Sequence, residues 1–347
     1  MKGLHSLFGR IFLILIIAFT ACKHASRGPE SQYALGTFCT INLFGKGNNK
    51  LYSQVFGRIH YLEDIFSANQ EGTDLDMINK SAGLYPVKVR LELIVVLEKA
   101  LEYAEKSGGA FDPTIGPLVK LWGIGTDEGH IPERDEIKNS LELVNYRDCE
   151  INREESTVFL KRAGMALDLG AIAKGYAADE AARLLGNEGV DSGIIDLGGN
   201  IFAMGEKKES GGKGAYWRVG VQDPRADRGN YLGILNVKNK SVVTSGVYER
   251  FFEKDGKRYH HIFSTSSGFP VENHLLSVTI AADESIDADA LSTAAFALGW
   301  EKGRELIAGV KGAGGIYVYD DLSVLVTENL KEDFSLTAAE YRLRINP

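Results

Sequence analysis

Hydrophobic spacing along this 347-residue chain moves between the helical and the extended period without settling into regular alternation. Val55, Ile59, Leu62 and Phe66 recur at helical intervals and predict a helix over 51–66. Residues 91–106 predict a second amphipathic helix, ended by Ser107-Gly108-Gly109, residues that tolerate positive φ. Between them, 67–78 is polar and reads as a loop with a short helix at its end. Residues 33–43 read as a first strand and 45–49 as a turn. Further on, 158–160 and 165–169 read as strands, and 171–185 as a helix after a turn at Gly170. The run GIIDL at 193–197 is almost continuously apolar, hence a buried strand, and Gly198-Gly199-Asn200 follows it. Strands are also predicted at 217–221, 232–237, 241–244, 259–263 and 276–281. Helices follow at 287–298, with Ser285 as cap, and at 301–307; strands at 316–319 and 325–327 close the chain. Helices and strands mix without βα alternation, so the fold class is α+β: one compact mixed unit, with two lobes at most.

Composition narrows the function. The 44% hydrophobic content suits a soluble domain with a sizeable core. A formal charge of −8 argues against nucleic acid as the main partner, and no basic cluster is interleaved with aromatics. An acidic protein that holds a phosphorylated ligand needs a divalent cation or a localised lysine.

The N-terminus carries its own signal. Lys2, His5 and Arg10 precede an apolar run over 11–19, then Thr20-Ala21-Cys22. A basic start, a short apolar stretch and a small residue before the cut make a secretory signal, and a cysteine directly after it resembles a lipoprotein signal. Phe19 is bulkier than the usual leucine there; simple secretion or an uncleaved anchor are the alternatives, although the run is short for a spanning helix. The expected organisation is a signal peptide at 1–21, a tether at 22–32, the folded domain at 33–330 and a tail at 331–347. The expected location is the periplasmic face of the bacterial inner membrane, anchored by lipid on Cys22. Cys39 and Cys149, the remaining cysteines, show no metal-ligand spacing.

Four stretches carry candidate chemistry. LDLGAIAKGYAAD at 167–179 is a strand end, a glycine turn and a helix start with Lys174 in its first turn. Free N–H groups, the positive end of the dipole and a cation converge there, a natural anion site, with Asp168 beside it for a polar ligand edge or a metal-bound water. The bland alternative is an ordinary corner with a solvated lysine. In SIDADALST at 285–293, Asp289 and Thr293 lie four apart on one helix face, hard oxygen ligands suited to Mg²⁺, while Asp287 faces solvent. An acidic first turn that offsets the dipole is the competing reading. In RYHHIFSTSSGFP at 258–270, strand geometry sends His260 and His261 to opposite faces, so only one can enter a given cleft as a base. In GGAFDPTIGPLVKLWG at 108–123, Asp112-Pro113 and Gly116-Pro117 form a rigid connection with backbone groups free for a ligand, or simply a stiff loop over a buried tryptophan.

Together, and in this order, these stretches resemble the FAD:protein FMN transferase family, also called ApbE. The resemblance runs from about residue 35 to about 327. It rests on LGT at 35–37, GGAFDPTIGPLVKLWGIG at 108–125, LDLGAIAKGYAAD at 167–179, DLGGN at 196–200, TSGVYERFF at 244–252, YHHI at 259–262 and DADALSTA at 287–294. It implies FAD in a cleft, its pyrophosphate next to Mg²⁺. Asp289 and Thr293 match the family's metal ligands, together with the main-chain carbonyl of Ala171. Asp168 and Lys174 match FAD-contacting positions; Leu35, Ala110, Phe111, Asp112 and Ile262 match others that line the cleft. His261 matches the base for the acceptor hydroxyl, with Lys174 as its catalytic companion. The implied reaction passes FMN to a threonine or serine of an exported protein and releases AMP.

Three positions depart from the family. Asn69 stands where many members carry a tyrosine against the bound flavin, which would admit water. Ser292 replaces a frequent second aspartate, and Ser264-Thr265 replaces an Asp-Pro. Two alternatives therefore stand beside transfer: a Mg²⁺-dependent FAD pyrophosphatase yielding FMN and AMP, and a lipoprotein that binds FAD without turning it over.

Overall fold

The computed structural model describes residues 28–44, 47–208 and 214–344. Its backbone is a nine-stranded sheet whose strands lie in chain order: Glu30–Ala34, Thr37–Leu43, Ser192–Leu197, Asn200–Gly205, Lys240–Gly246, Leu275–Ala282, Gly314–Tyr319, Ser323–Val326 and Arg342–Leu343. Every pair is antiparallel except the last. The mixed α+β class holds, and the meander explains why no βα alternation shows in the sequence.

The helices fall largely between the second and third strands. They are α1 (Asn49–Phe66), α2 (Asp74–Lys80), α3 (Leu91–Lys106), α4 (Gly116–Trp122), α5 (Arg134–Leu141) and α6 (Ala173–Asn187), with α7 (Ser285–Ala308) after the sixth strand. Buried Val55, Ile59 and Leu62 of α1, Ala177, Ala181 and Leu185 of α6 and Leu291 and Ala295 of α7 join Ile41, Ile195, Val278 and Ile280 of the sheet in the main core. The sheet's other face packs Val242, Ile316, Val318 and Val324 on a small sheet of Trp217–Gln222, Tyr231–Val237 and Phe334–Leu336. A third cluster centres on Trp122, with Leu118, Ile137 and Phe263. Trp122 is fully buried and donates its indole N–H to the Gly268 carbonyl at 2.9 Å.

Several expectations are corrected. The strand predicted over 33–43 is a hairpin. Its two-residue turn, Leu35-Gly36, has both φ values positive (53° and 70°), the geometry that fits the twist of paired strands. Residues 165–169 form no strand; Ala166 makes only an isolated bridge to Ile115. The strand predicted at 259–263 is Lys257–His260, with Phe263 bridged to Pro270. The two helices predicted toward the C-terminus do meet at a break, Gly299 (φ 74°, ψ −176°), within the span Ser285–Ala308. The tether boundary at 32 cuts into the first strand. The expected tail at 331–347 is folded over its described part: Phe334 pairs in the small sheet, Tyr341 is buried, and Arg342–Leu343 joins the large sheet. The signal peptide and Cys22 lie outside the described residues.

Candidate active site

A cleft of about 1190 Å³ opens beside the large sheet. Two tight turns form one rim, because Thr37–Leu43 pairs with Ser192–Leu197 and brings the Leu35-Gly36 and Gly198-Gly199 turns together. A Cβ at Gly198 would stand 2.3 Å from Thr37 Oγ1, so glycine is needed there for space as well as for its φ of 69°. Asp196 accepts the Gly199 N–H at 2.7 Å, and burial pushes its carboxyl upward.

Of the twelve residues the sequence singles out for catalysis, cofactor or metal, eleven line this cleft: Leu35, Ala110, Phe111, Asp112, Asp168, Ala171, Lys174, His261, Ile262, Asp289 and Thr293. Asn69 does not. It is exposed just beyond the end of α1, its N–H on Ser67 Oγ at 3.3 Å, and it is absent from the cleft wall.

The carboxylates divide by what their oxygens do. Asp112 takes the N–H and hydroxyl of Thr114 on Oδ1 (2.8 and 2.6 Å) and the Tyr146 N–H on Oδ2 (2.9 Å). It shapes the 110–114 wall, a supporting part. Asp168 Oδ1 accepts the Gly170 N–H at 2.8 Å, which sets the corner before α6. Asp289 is only 4% exposed. Its Oδ2 takes the Gly175 N–H at 2.9 Å, and its Oδ1 lies 3.9 Å from Lys174 Nζ. Burial raises its pKa, opposed by Lys174 and by the Gly175 N–H. Such a carboxylate gains most from a cation placed against it. Lys174 is itself pinned, donating to the Gly170 carbonyl at 2.8 Å.

The i, i+4 spacing does place Asp289 and Thr293 on one cleft-facing side of α7. Thr293 Oγ1 is 3.1 Å from Ser245 Oγ, which also pairs with Ser292 Oγ at 2.7 Å. Ser292 is fully buried and turned to the sheet, and it is absent from the cleft wall. Asp287 does not meet solvent as expected: Tyr103 donates to it at 2.7 Å and Lys99 pairs with it at 3.1 Å. Ser285 is not the cap of α7 either; Glu284 holds that position without a side-chain bond, and the Ser285 hydroxyl goes to Asn200.

The two histidines separate, His260 as the last residue of its strand and His261 just beyond it. His260 is buried, its ring edge on Phe296 and its Nε2 on the Val271 carbonyl at 3.0 Å. His261 faces the cleft and sets Nδ1 at 3.2 Å from the Arg250 carbonyl. A carbonyl can only accept, so the proton sits on Nδ1 and Nε2 is left as the basic atom. Burial lowers its pKa to about 4, so the ring is neutral at physiological pH. The loop over 222–229, with Arg225 and Arg228, also lines the cleft. No local pattern marks it, because its position depends on the small sheet.

The donor set suits Mg²⁺ by its chemistry. One buried carboxylate, a threonine hydroxyl and the peptide wall at Ala171 are all oxygen ligands in one cleft. They fit a hard cation that keeps water or substrate oxygens in its remaining positions. Among the described residues no group of three or more His, Cys, Asp or Glu is placed to hold a metal.

Fold and cleft together are those of an α+β enzyme. A model of the ApbE family matches residues 35–316. The FAD:protein FMN transferase of Treponema pallidum (strain Nichols) is 39% identical over 96% of each chain. That of Klebsiella pneumoniae (strain 342) is 36% identical over 90% of this chain and 96% of its own. The crystal structure of the ApbE protein from Thermotoga maritima MSB8 superposes with a TM-score of 0.80 at 32% identity, covering 88% of this chain and 98% of that one. The chain belongs to the ApbE family.

Proposed function

We propose that this protein is a Mg²⁺-dependent FAD:protein FMN transferase that acts on a threonine or serine of an exported protein. The observation that carries the reading is the meeting, in one cleft, of a neutral histidine with a free Nε2, a pinned lysine and a buried carboxylate beside a threonine. The names of the relatives point the same way.

Asp289, Thr293 and the carbonyl of Ala171 would hold Mg²⁺, which when bound neutralises charge on the pyrophosphate. His261 Nε2 takes the proton of the acceptor hydroxyl. The hydroxyl oxygen bonds to the flavin-side phosphorus as the bond to the AMP oxygen breaks. Lys174 offers positive charge where the leaving phosphate gains a negative one. The Leu35-Gly36 turn, with Ala110, Phe111 and Ile262, provides the apolar part of the wall for the flavin end. A lipid on Cys22 would keep the domain at the periplasmic face of the inner membrane. Among the described residues no helix is long and apolar enough to cross a membrane.

The test is incubation with FAD and Mg²⁺, with and without an acceptor bearing a flavinylation threonine, following AMP and protein-bound flavin. AMP together with a fluorescent acceptor supports the reading. AMP at the same rate without acceptor makes the chain a pyrophosphatase, and no AMP in either arm leaves an FAD-binding protein.

A further inference from the structure

Asp179 ends the LDLGAIAKGYAAD stretch, yet no step of the proposed reaction uses it. It sits on α6, half-buried, with both oxygens engaged. Oδ1 accepts the N–H of Ser285 at 2.7 Å and Oδ2 that of Ile286 at 2.8 Å. These are the first two N–H groups of α7, and its cap residue, Glu284, supplies no side-chain bond. The cap of α7 thus comes from another helix, 106 residues earlier in the chain. One turn before Asp179 on α6, the Gly175 N–H holds Asp289, one turn into α7. The two helices are joined by two rungs, and the second ends on the carboxylate read as the metal ligand.

We propose that Asp179 is a positioning residue: its paired hydrogen bonds to the start of α7 fix the direction of Asp289 and so set the affinity of the cleft for Mg²⁺. This rests on the metal reading given under Proposed function.

A residue kept for stability alone would be a different choice. Burial pushes the Asp179 carboxyl up to about 7 despite its two N–H partners, with Glu284 and Asp287 adding repulsion. The folded value lies above the unfolded one, so ionisation costs the fold stability, and the loss grows as pH rises from about 4 to about 7. The other charged groups around the same recess are Lys99 of α3, Glu180 and Arg183 of α6, and Asp283. Asparagine has nearly the same shape and no charge, but only one acceptor oxygen for two N–H groups.

Asp179→Asn in the full chain therefore separates the two roles. Mg²⁺-dependent FAD binding is followed by flavin fluorescence at pH 8, and the thermal midpoint is measured without metal. The expected result is a midpoint equal to or above wild type, with the half-saturating Mg²⁺ concentration raised by about tenfold, as for outer-shell residues that orient metal ligands. Unchanged Mg²⁺ dependence overturns the proposal, and so does a midpoint that falls together with the affinity or a variant that does not fold. If wild-type FAD binding ignores Mg²⁺ altogether, the metal reading fails first and takes this inference with it.

Discussion

Gly175→Ala tests the contact on which the site depends. Gly175 is in the first turn of α6, and a Cβ built there stands 2.4 Å from the Ser285 carbonyl oxygen and 2.7 Å from Ile286 Cα. Both are backbone atoms, so no side chain can swing aside and the helices must part. Forcing extra volume into a packed contact costs ~1–3 kcal/mol. Parting the helices also stretches the bond from the Gly175 N–H to Asp289, and a hydrogen bond to a charged group contributes ~1.5–3 kcal/mol. Alanine's better helix propensity returns ~1 kcal/mol. The net expectation is a loss of roughly 1.5–5 kcal/mol, together with weakened Mg²⁺-dependent turnover because Asp289 moves. Denaturant unfolding measures it as a lower midpoint at an unchanged slope. Gly57→Ala is the control. Gly57 is exposed within α1, with nothing within 4 Å of its Cβ position, so the same change there should stabilise by up to ~1 kcal/mol. A Gly175→Ala chain as stable as wild type would show that the α6–α7 contact is looser than these distances say, and the reasoning about the site would fall with it.

Three further outcomes follow from the same geometry. His261→Ala should lower kcat by ~10²–10⁴-fold with FAD binding retained; because burial holds His261 near 4, the wild-type rate should stay level from pH 8 to about 5 and fall only toward pH 4, and a histidine-dependent loss already centred at 6.5 would contradict the burial. Asn48→Ala removes the N-cap of α1, where Asn48 Oδ1 accepts the Leu51 N–H at 3.1 Å, and should cost ~1 kcal/mol in denaturant unfolding, with FAD binding intact. Burial pushes the Cys39 and Cys149 thiols to about 12, so peptide mapping should find both unmodified after iodoacetamide at pH 8, and both modified once denaturant is added.

Much of this protein was legible along the chain wherever the deciding interaction is local. Helical periodicity located α1 and α3, and it put Asp289 and Thr293 on one face of α7, because residues four apart share a side whatever the helix packs on. Alternation also foretold that His260 and His261 part, although the strand itself stops at His260. Local reading failed where a turn is too short to interrupt the run of strand-forming residues. Ala34 pairs with Thr37 across Leu35-Gly36, so the inward positions are even before the turn and odd after it, a shift too brief in YALGTFC to stand out from one strand. It failed again at the C-terminus, where Phe334 and Tyr341 are buried only because the small sheet stands opposite them. Tertiary structure alone decided which carboxylates support and which are free to act. Asp112 is consumed by Thr114 and Tyr146, Asp179 by a helix start 106 residues away, and Asp289 keeps one oxygen near Lys174 at 3.9 Å. The physical reason is that residue types and their spacing set what a side chain can offer, while its charge, direction and vacancy depend on partners that only the folded chain supplies.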